Sequence, residues 1–106
     1  MANFVLVYTG GGMAMTEAER GKATQAWGAW FGQLGEAIVD AGNPFGEAAK
    51  NIASDGSVHD GPVGTLATGY SIIKADSIKT AVDAAKGCPI LKSGGKITVY
   101  EIHPAM

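Results

Sequence analysis

Residues 4–8 read Phe-Val-Leu-Val-Tyr, and a strand built from them is apolar on both faces. Phe4, Leu6 and Tyr8 point one way, Val5 and Val7 the other. Such a strand belongs inside a sheet whose two faces are both covered. The chain has 106 residues, enough for a single domain spanning residues 1–106. It offers two helical segments, and two helices cover one face of a sheet. The second face is then an apolar patch of the kind that marks an interface. The expectation is a homodimer packed sheet face to sheet face, leaving a cleft.

The rest of the chain supplies the helices and further strands. Thr9-Gly10-Gly11-Gly12 ends the first strand. Thr16 and Glu19 have the spacing of a capping box, which predicts a helix from about residue 17 to 41. Ala23, Trp27, Trp30, Phe31, Leu34 and Ile38 form its apolar stripe, and Gly42 and Pro44 stop it. Gly21, Gly28, Gly32 and Gly35 cluster on another face and cost about 3–4 kcal/mol relative to alanine. Either another backbone approaches there, or the helix is locally weak and held by its tryptophan face. Residues 48–54 and 57–60 read as strands about an Asp55-Gly56 turn. Residues 69–75 are a strand. Asp76 is placed to cap a helix over 77–86, with Ile78, Val82 and Ala85 inward. Residues 96–102 alternate as a last strand. The order β-α-β-β-α-β implies an α+β domain: a ferredoxin-like split β-α-β sheet with both helices on one face.

Charge narrows the partners. Eight basic and ten acidic residues give a net charge of -2, and the lysines are scattered rather than striped. Nucleic acid is therefore not an expected partner. The first residues carry no basic leader, and their apolar run is too short to span a membrane. No membrane association is expected, and a cytoplasmic location is the default. One cysteine, Cys88, permits no internal disulfide, and two histidines without ligand-spaced partners imply no metal. No cofactor is expected. Gly10-Gly11-Gly12 is not a phosphate fingerprint, and Glu17 and Glu19 would repel an anion there.

His59-Asp60-Gly61-Pro62 is the candidate site. A histidine shuttles protons near neutral pH and a carboxylate can orient it, so His59 and Asp60 are the candidate catalytic residues. On a regular strand the two side chains point to opposite faces, which precludes a direct dyad. Asp60 can equally make an Asx turn before Gly61 and Pro62. Tyr8, Tyr70 and Tyr100 fall on three strands. If they share the cleft face they bind a ligand through ring and hydroxyl, with Gly61 and Pro62 beside them; otherwise they pack an interface. Trp27 and Trp30 read as core, and Cys88 as packed or inert.

Several segments, in order, resemble the YCII-related family and its DGPF-type branch. They are residues 27–32 (Trp-Gly-Ala-Trp-Phe-Gly), 43–46 (Asn-Pro-Phe-Gly), 60–63 (Asp-Gly-Pro-Val) and 69–70 (Gly-Tyr). Residues 75–77 (Ala-Asp-Ser), 88–89 (Cys-Pro) and 99–102 (Val-Tyr-Glu-Ile) complete the set. The resemblance implies a ferredoxin-like dimeric α/β barrel, and most members have no established activity. The signature ends in Val63 here, and the first helix holds no histidine. The functional expectation is a YCII-like homodimeric domain that binds a small molecule in a cleft near His59 and Asp60. The alternative is a non-catalytic protein-interaction or regulatory module. Residue types and spacing assign no reaction.

Overall fold

The structure is a computed structural model that describes residues 1–11 and 16–104. Gly12, the last glycine of the run after the first strand, lies outside the described residues. Six strands and two helices follow in order: β1 (Ala2–Thr9), α1 (Glu17–Leu34), β2 (Ile38–Asp40), β3 (Lys50–Ile52), β4 (Val58–Asp60), β5 (Ala67–Ala75), α2 (Ile78–Ala85) and β6 (Lys96–Ile102). Four strands form an antiparallel sheet in the order β2-β5-β1-β6; β3 and β4 pair separately. The architecture is mixed α+β and compatible with a ferredoxin-like fold.

β1 lies inside the sheet, as its two apolar faces require. Phe4, Leu6 and Tyr8 are buried with Trp30, Ile73, Ala81, Ala85, Cys88 and Ile90 in one core. Each large member of such a core contributes about 1.5–3 kcal/mol by leaving water. The opposite face carries Val5, Val7, Tyr70, Ile72 and Tyr100; the register sets Val7 beside Tyr70 and Thr98, and Val5 beside Ile72 and Tyr100. Among the described residues no element covers that face, and Tyr100 is 56% exposed.

α1 starts where the capping box sets it. Glu19 N–H donates to Thr16 Oγ1 at 3.1 Å, and Thr16 N–H donates to Glu19 Oε1 at 3.3 Å. Its end differs from the sequence expectation. Gly35 takes φ 53° and closes the helix at Leu34, a 3₁₀ turn follows, and residues 38–40 become an edge strand on β5. Ile38, assigned by periodicity to the helical stripe, instead pairs with Ile73. The β-branched pair Ile38-Val39 suits an edge strand, and period alone cannot see the partner that recruits it.

This change moves the hairpin as well. The strands expected over 48–60 form a two-stranded unit outside the main sheet, closed by Gly56 at φ 89°. The fourth strand of the sheet comes from 38–40. In α2 the cap is Ser77 rather than Asp76: Thr80 N–H donates to Ser77 Oγ at 3.2 Å. Ala81 and Ala85 face inward, while Ile78 and Val82 are exposed, correcting their expected inward placement. Alanines let the helix axis sit close to the sheet. The Trp30 indole N–H donates to the Ala84 carbonyl at 3.1 Å and ties α1 to α2.

Candidate functional site

α1 stands off the sheet far enough to leave a cavity of about 670 Å³ beneath one flank. Trp27 and Phe31, one turn apart on α1, form its apolar wall with Ile90 and the ring of Tyr8. The rings hold one another: Tyr8 meets Trp27 edge-on at 5.3 Å, and Trp27 meets Phe31 at 5.7 Å. The opposite wall is the turn Ala41-Gly42-Asn43-Pro44 between β2 and the hairpin. A second hollow of about 700 Å³ shares Ala23, Trp27, Pro44, Thr68 and Ile90 and continues along the same helix.

Two buried hydroxyls line the cavity. Ser71 donates its one proton to the Ala41 carbonyl at 2.7 Å, so Tyr8 must be the donor in the 2.7 Å contact between the two hydroxyls. Left unpaired, either hydroxyl would cost about 1–3 kcal/mol. Burial pushes the Tyr8 hydroxyl well above its ordinary pKa, and burial likewise raises the Cys88 thiol beside it. Both groups are neutral at physiological pH. They shape and orient; neither supplies an anionic nucleophile or base there.

The tyrosines do not share a face. Tyr8 lies on the helix side with Phe4 and Leu6, whereas Tyr70 and Tyr100 lie on the open side. Tyr70 also enters the cavity wall, but its hydroxyl donates to Asp40 Oδ2 at 2.9 Å, which raises its pKa. Its ring stacks on Phe45 at 5.8 Å.

His59 and Asp60 sit on β4, exposed, and neither lines the cavity. They point apart, as strand geometry demands. Asp60 pairs with Lys50 across the hairpin. His59 Nε2 lies 3.2 Å from Ser57 Oγ, and Ser57 donates to Asp55 Oδ1 at 2.7 Å, holding the Asp55 carboxyl below its usual range. With the serine proton committed to Asp55, His59 Nε2 is the donor in its contact. This order, serine between acid and histidine, is the reverse of a nucleophile relay, in which the histidine takes the serine proton. Gly61 at φ 85° and Pro62 end the hairpin; Gly61 donates its N–H to the Ala49 carbonyl at 2.8 Å, and neither residue reaches the cavity. Of the candidate residues, the structure brings Tyr8 and Tyr70 to one hollow and leaves His59, Asp60, Gly61 and Pro62 on the hairpin.

The sequence reading did not single out Arg20, Gly28, Phe31 and Asn43 as wall residues. Trp27, read as core, does both jobs: one side packs on Trp30 and the other faces the hollow. The only advance signal was composition, since Arg20 is the sole arginine and lies two turns before Trp27 on a helix. Among the described residues no helix is long and apolar enough to cross a membrane. No family model matches this chain, and no curated protein matches it either.

Proposed function

We propose that this chain is a YCII-like homodimeric domain that binds a small apolar molecule in the hollow between α1 and the turn 41–44. The observation that carries the reading is the cavity itself. At about 670 Å³ it lies within the range of ligand sites, roughly 300–1,000 Å³, and it combines aromatic walls with a few fixed polar groups. The site of binding thereby moves from His59 and Asp60 to Tyr8, Trp27 and Phe31. Dimerisation is supported by surface area. The chain exposes 7329 Å² at a mass of 10.8 kDa, against about 5,500 Å² for a folded monomer of that mass. The excess exceeds the roughly 800 Å² per partner of a standard interface, and the open sheet face carries Val5, Val7, Ile72 and Tyr100.

The interaction-module reading keeps one observation in its favour. Ile52 and Val58, cross-strand partners on the hairpin, are 72% and 57% exposed. A thermal-shift screen with aromatic and aliphatic metabolites separates the readings. A ligand at one hundred times its dissociation constant adds about 2.7 kcal/mol, which moves the midpoint by about 10 °C or more. A shift that survives His59→Ala and disappears in Gly28→Leu, which fills the hollow, is the expected result. A shift lost with His59→Ala returns the site to the hairpin, and no shift across the panel favours the interaction module.

A further inference from the structure

We propose that the ligand of this hollow is a carboxylate with an apolar, ring-sized body, its head held by Arg20 and its body lying against Trp27 and Phe31. The proposal rests on the hollow being the binding site and adds the chemical class of its occupant.

Five hydroxyls line the hollow, and every one has its proton committed within the protein. Tyr8 donates to Ser71, Ser71 to the Ala41 carbonyl, Tyr70 to Asp40, Thr24 to the Arg20 carbonyl at 3.0 Å, and Thr68 to the Gly10 carbonyl at 3.2 Å. Toward a ligand these groups can only accept. Asn43 and Trp27 add an amide and an indole N–H to the same wall. The largest free donor set is the Arg20 guanidinium, with five N–H groups in a planar fork suited to a carboxylate. Among the described residues Arg20 is the only charged side chain in the wall of this hollow, and it forms no salt bridge. Glu19, its neighbour on α1, is engaged in the helix cap. A lone cation beside an apolar hollow selects an anion whose remaining surface is apolar.

The spacing sets the size. Arg20, Trp27 and Phe31 recur on one helical face, and Trp27 is seven residues beyond Arg20, about 10 Å along the axis. Arginine reaches back toward the helix start, so a chain of a few carbons must separate the carboxylate from a ring stacked at Trp27. A single charge suits a single arginine; a dianion would call for a second cation in the wall.

The test compares 4-phenylbutyrate with 4-phenylbutan-1-ol by isothermal titration against wild type, Arg20→Gln and Gly28→Leu. Arg20 is exposed and a Cβ at Gly28 would meet nothing within 4 Å, so both variants are expected to keep the fold, which circular dichroism checks. In wild type the acid binds about tenfold or more tighter than the alcohol, the range of a charge-assisted hydrogen bond. Arg20→Gln brings the two to equal affinity, and Gly28→Leu removes both. Equal affinities in wild type, or a preference that persists in Arg20→Gln, overturn the head-group assignment and leave the hollow intact as a site. Absence of saturable binding by both probes, or binding that Gly28→Leu leaves unchanged, overturns the site itself.

Discussion

Gly42 lies so close to Tyr70 that a Cβ on it would fall inside the Tyr70 carbonyl group. Gly42 also holds φ 81° and donates its N–H to Asp40 Oδ1 at 2.8 Å, so the turn leaving β2 is fixed from three sides. Gly42→Ala combines left-handed strain with a backbone clash and is expected to cost about 3 kcal/mol or more, or to prevent folding. Gly46→Ala is the control: Gly46 has no positive φ and nothing within 4 Å of a Cβ. Urea midpoints of the two variants check this. Similar midpoints would mean that the turn relaxes without cost.

Tyr8 makes stability depend on pH at the alkaline end. Its hydroxyl is buried and its pKa is raised in the fold, whereas an unfolded tyrosine titrates near pH 10. The folded state thus keeps a proton that the unfolded state releases. The contribution of Tyr8 is complete below about pH 10 and is lost as pH climbs from there toward the folded value. Cys88 shifts in the same direction, so the comparison belongs in a Cys88→Ala background. There, stability should fall above pH 10 with a slope of up to about 1.4 kcal/mol per pH unit from this one proton. Tyr8→Phe should flatten the slope, and Tyr70→Phe, which removes an exposed hydroxyl, should change it less. Equal slopes in the two variants would place the titrating group elsewhere.

The glycines of α1 are available for stabilisation. A Cβ at Gly21 or Gly32 meets nothing within 4 Å, so among the described residues no second backbone approaches that face. Each glycine costs the helix about 0.5–1 kcal/mol against alanine without a contact in return. Gly21→Ala and Gly32→Ala should each raise stability by that amount. Eleven residues apart, they should add. A thermal midpoint that drops in either variant would reveal a partner on that face.

What was legible in the chain followed from local chemistry. The capping box, β1 with its two apolar faces and the strand 96–102 are each written in a few adjacent residues, and each holds. A mixed α+β order compatible with a ferredoxin-like fold was also reached, but through the wrong strand. Ile38 sits in phase with the Trp27–Leu34 stripe, and only Gly35 at positive φ and the free edge of β5 turn it into a strand. Similarly, Ile78 and Val82 match an inward helical period, yet the sheet accepts the alanine face because alanines allow closer approach. The site was half legible. Tyr8 and Tyr70 lie in the wall, whereas His59 and Asp60 are chemically eloquent residues on a hairpin that the main sheet does not include. Which residues surround a hollow is decided by contacts of long sequence separation, such as Tyr8 to Ser71, and these leave no local trace.

The open sheet face gives the sharpest test of assembly. Val7 lies at the centre of that face, flanked by Tyr70 and Thr98, with Val5, Ile72 and Tyr100 around it. The radius of gyration, 15.2 Å, exceeds the roughly 13 Å of a compact domain of this length, and the molecule is a slab only 18 Å thick. In the proposed dimer the apolar side of this slab would meet its own copy, and a two-fold axis through that face would set Val7 near its counterpart. A lysine there would bury two like charges against each other, a cost of several kcal/mol in an interface, while leaving the Phe4-Leu6-Tyr8 side untouched. Sedimentation equilibrium at micromolar concentration should return twice the chain mass for wild type and the chain mass for Val7→Lys, with the same far-ultraviolet circular dichroism. A wild type that sediments as one chain would overturn the dimer, and a Val7→Lys variant that stays dimeric would move the interface to the hairpin, where Ile52 and Val58 are exposed.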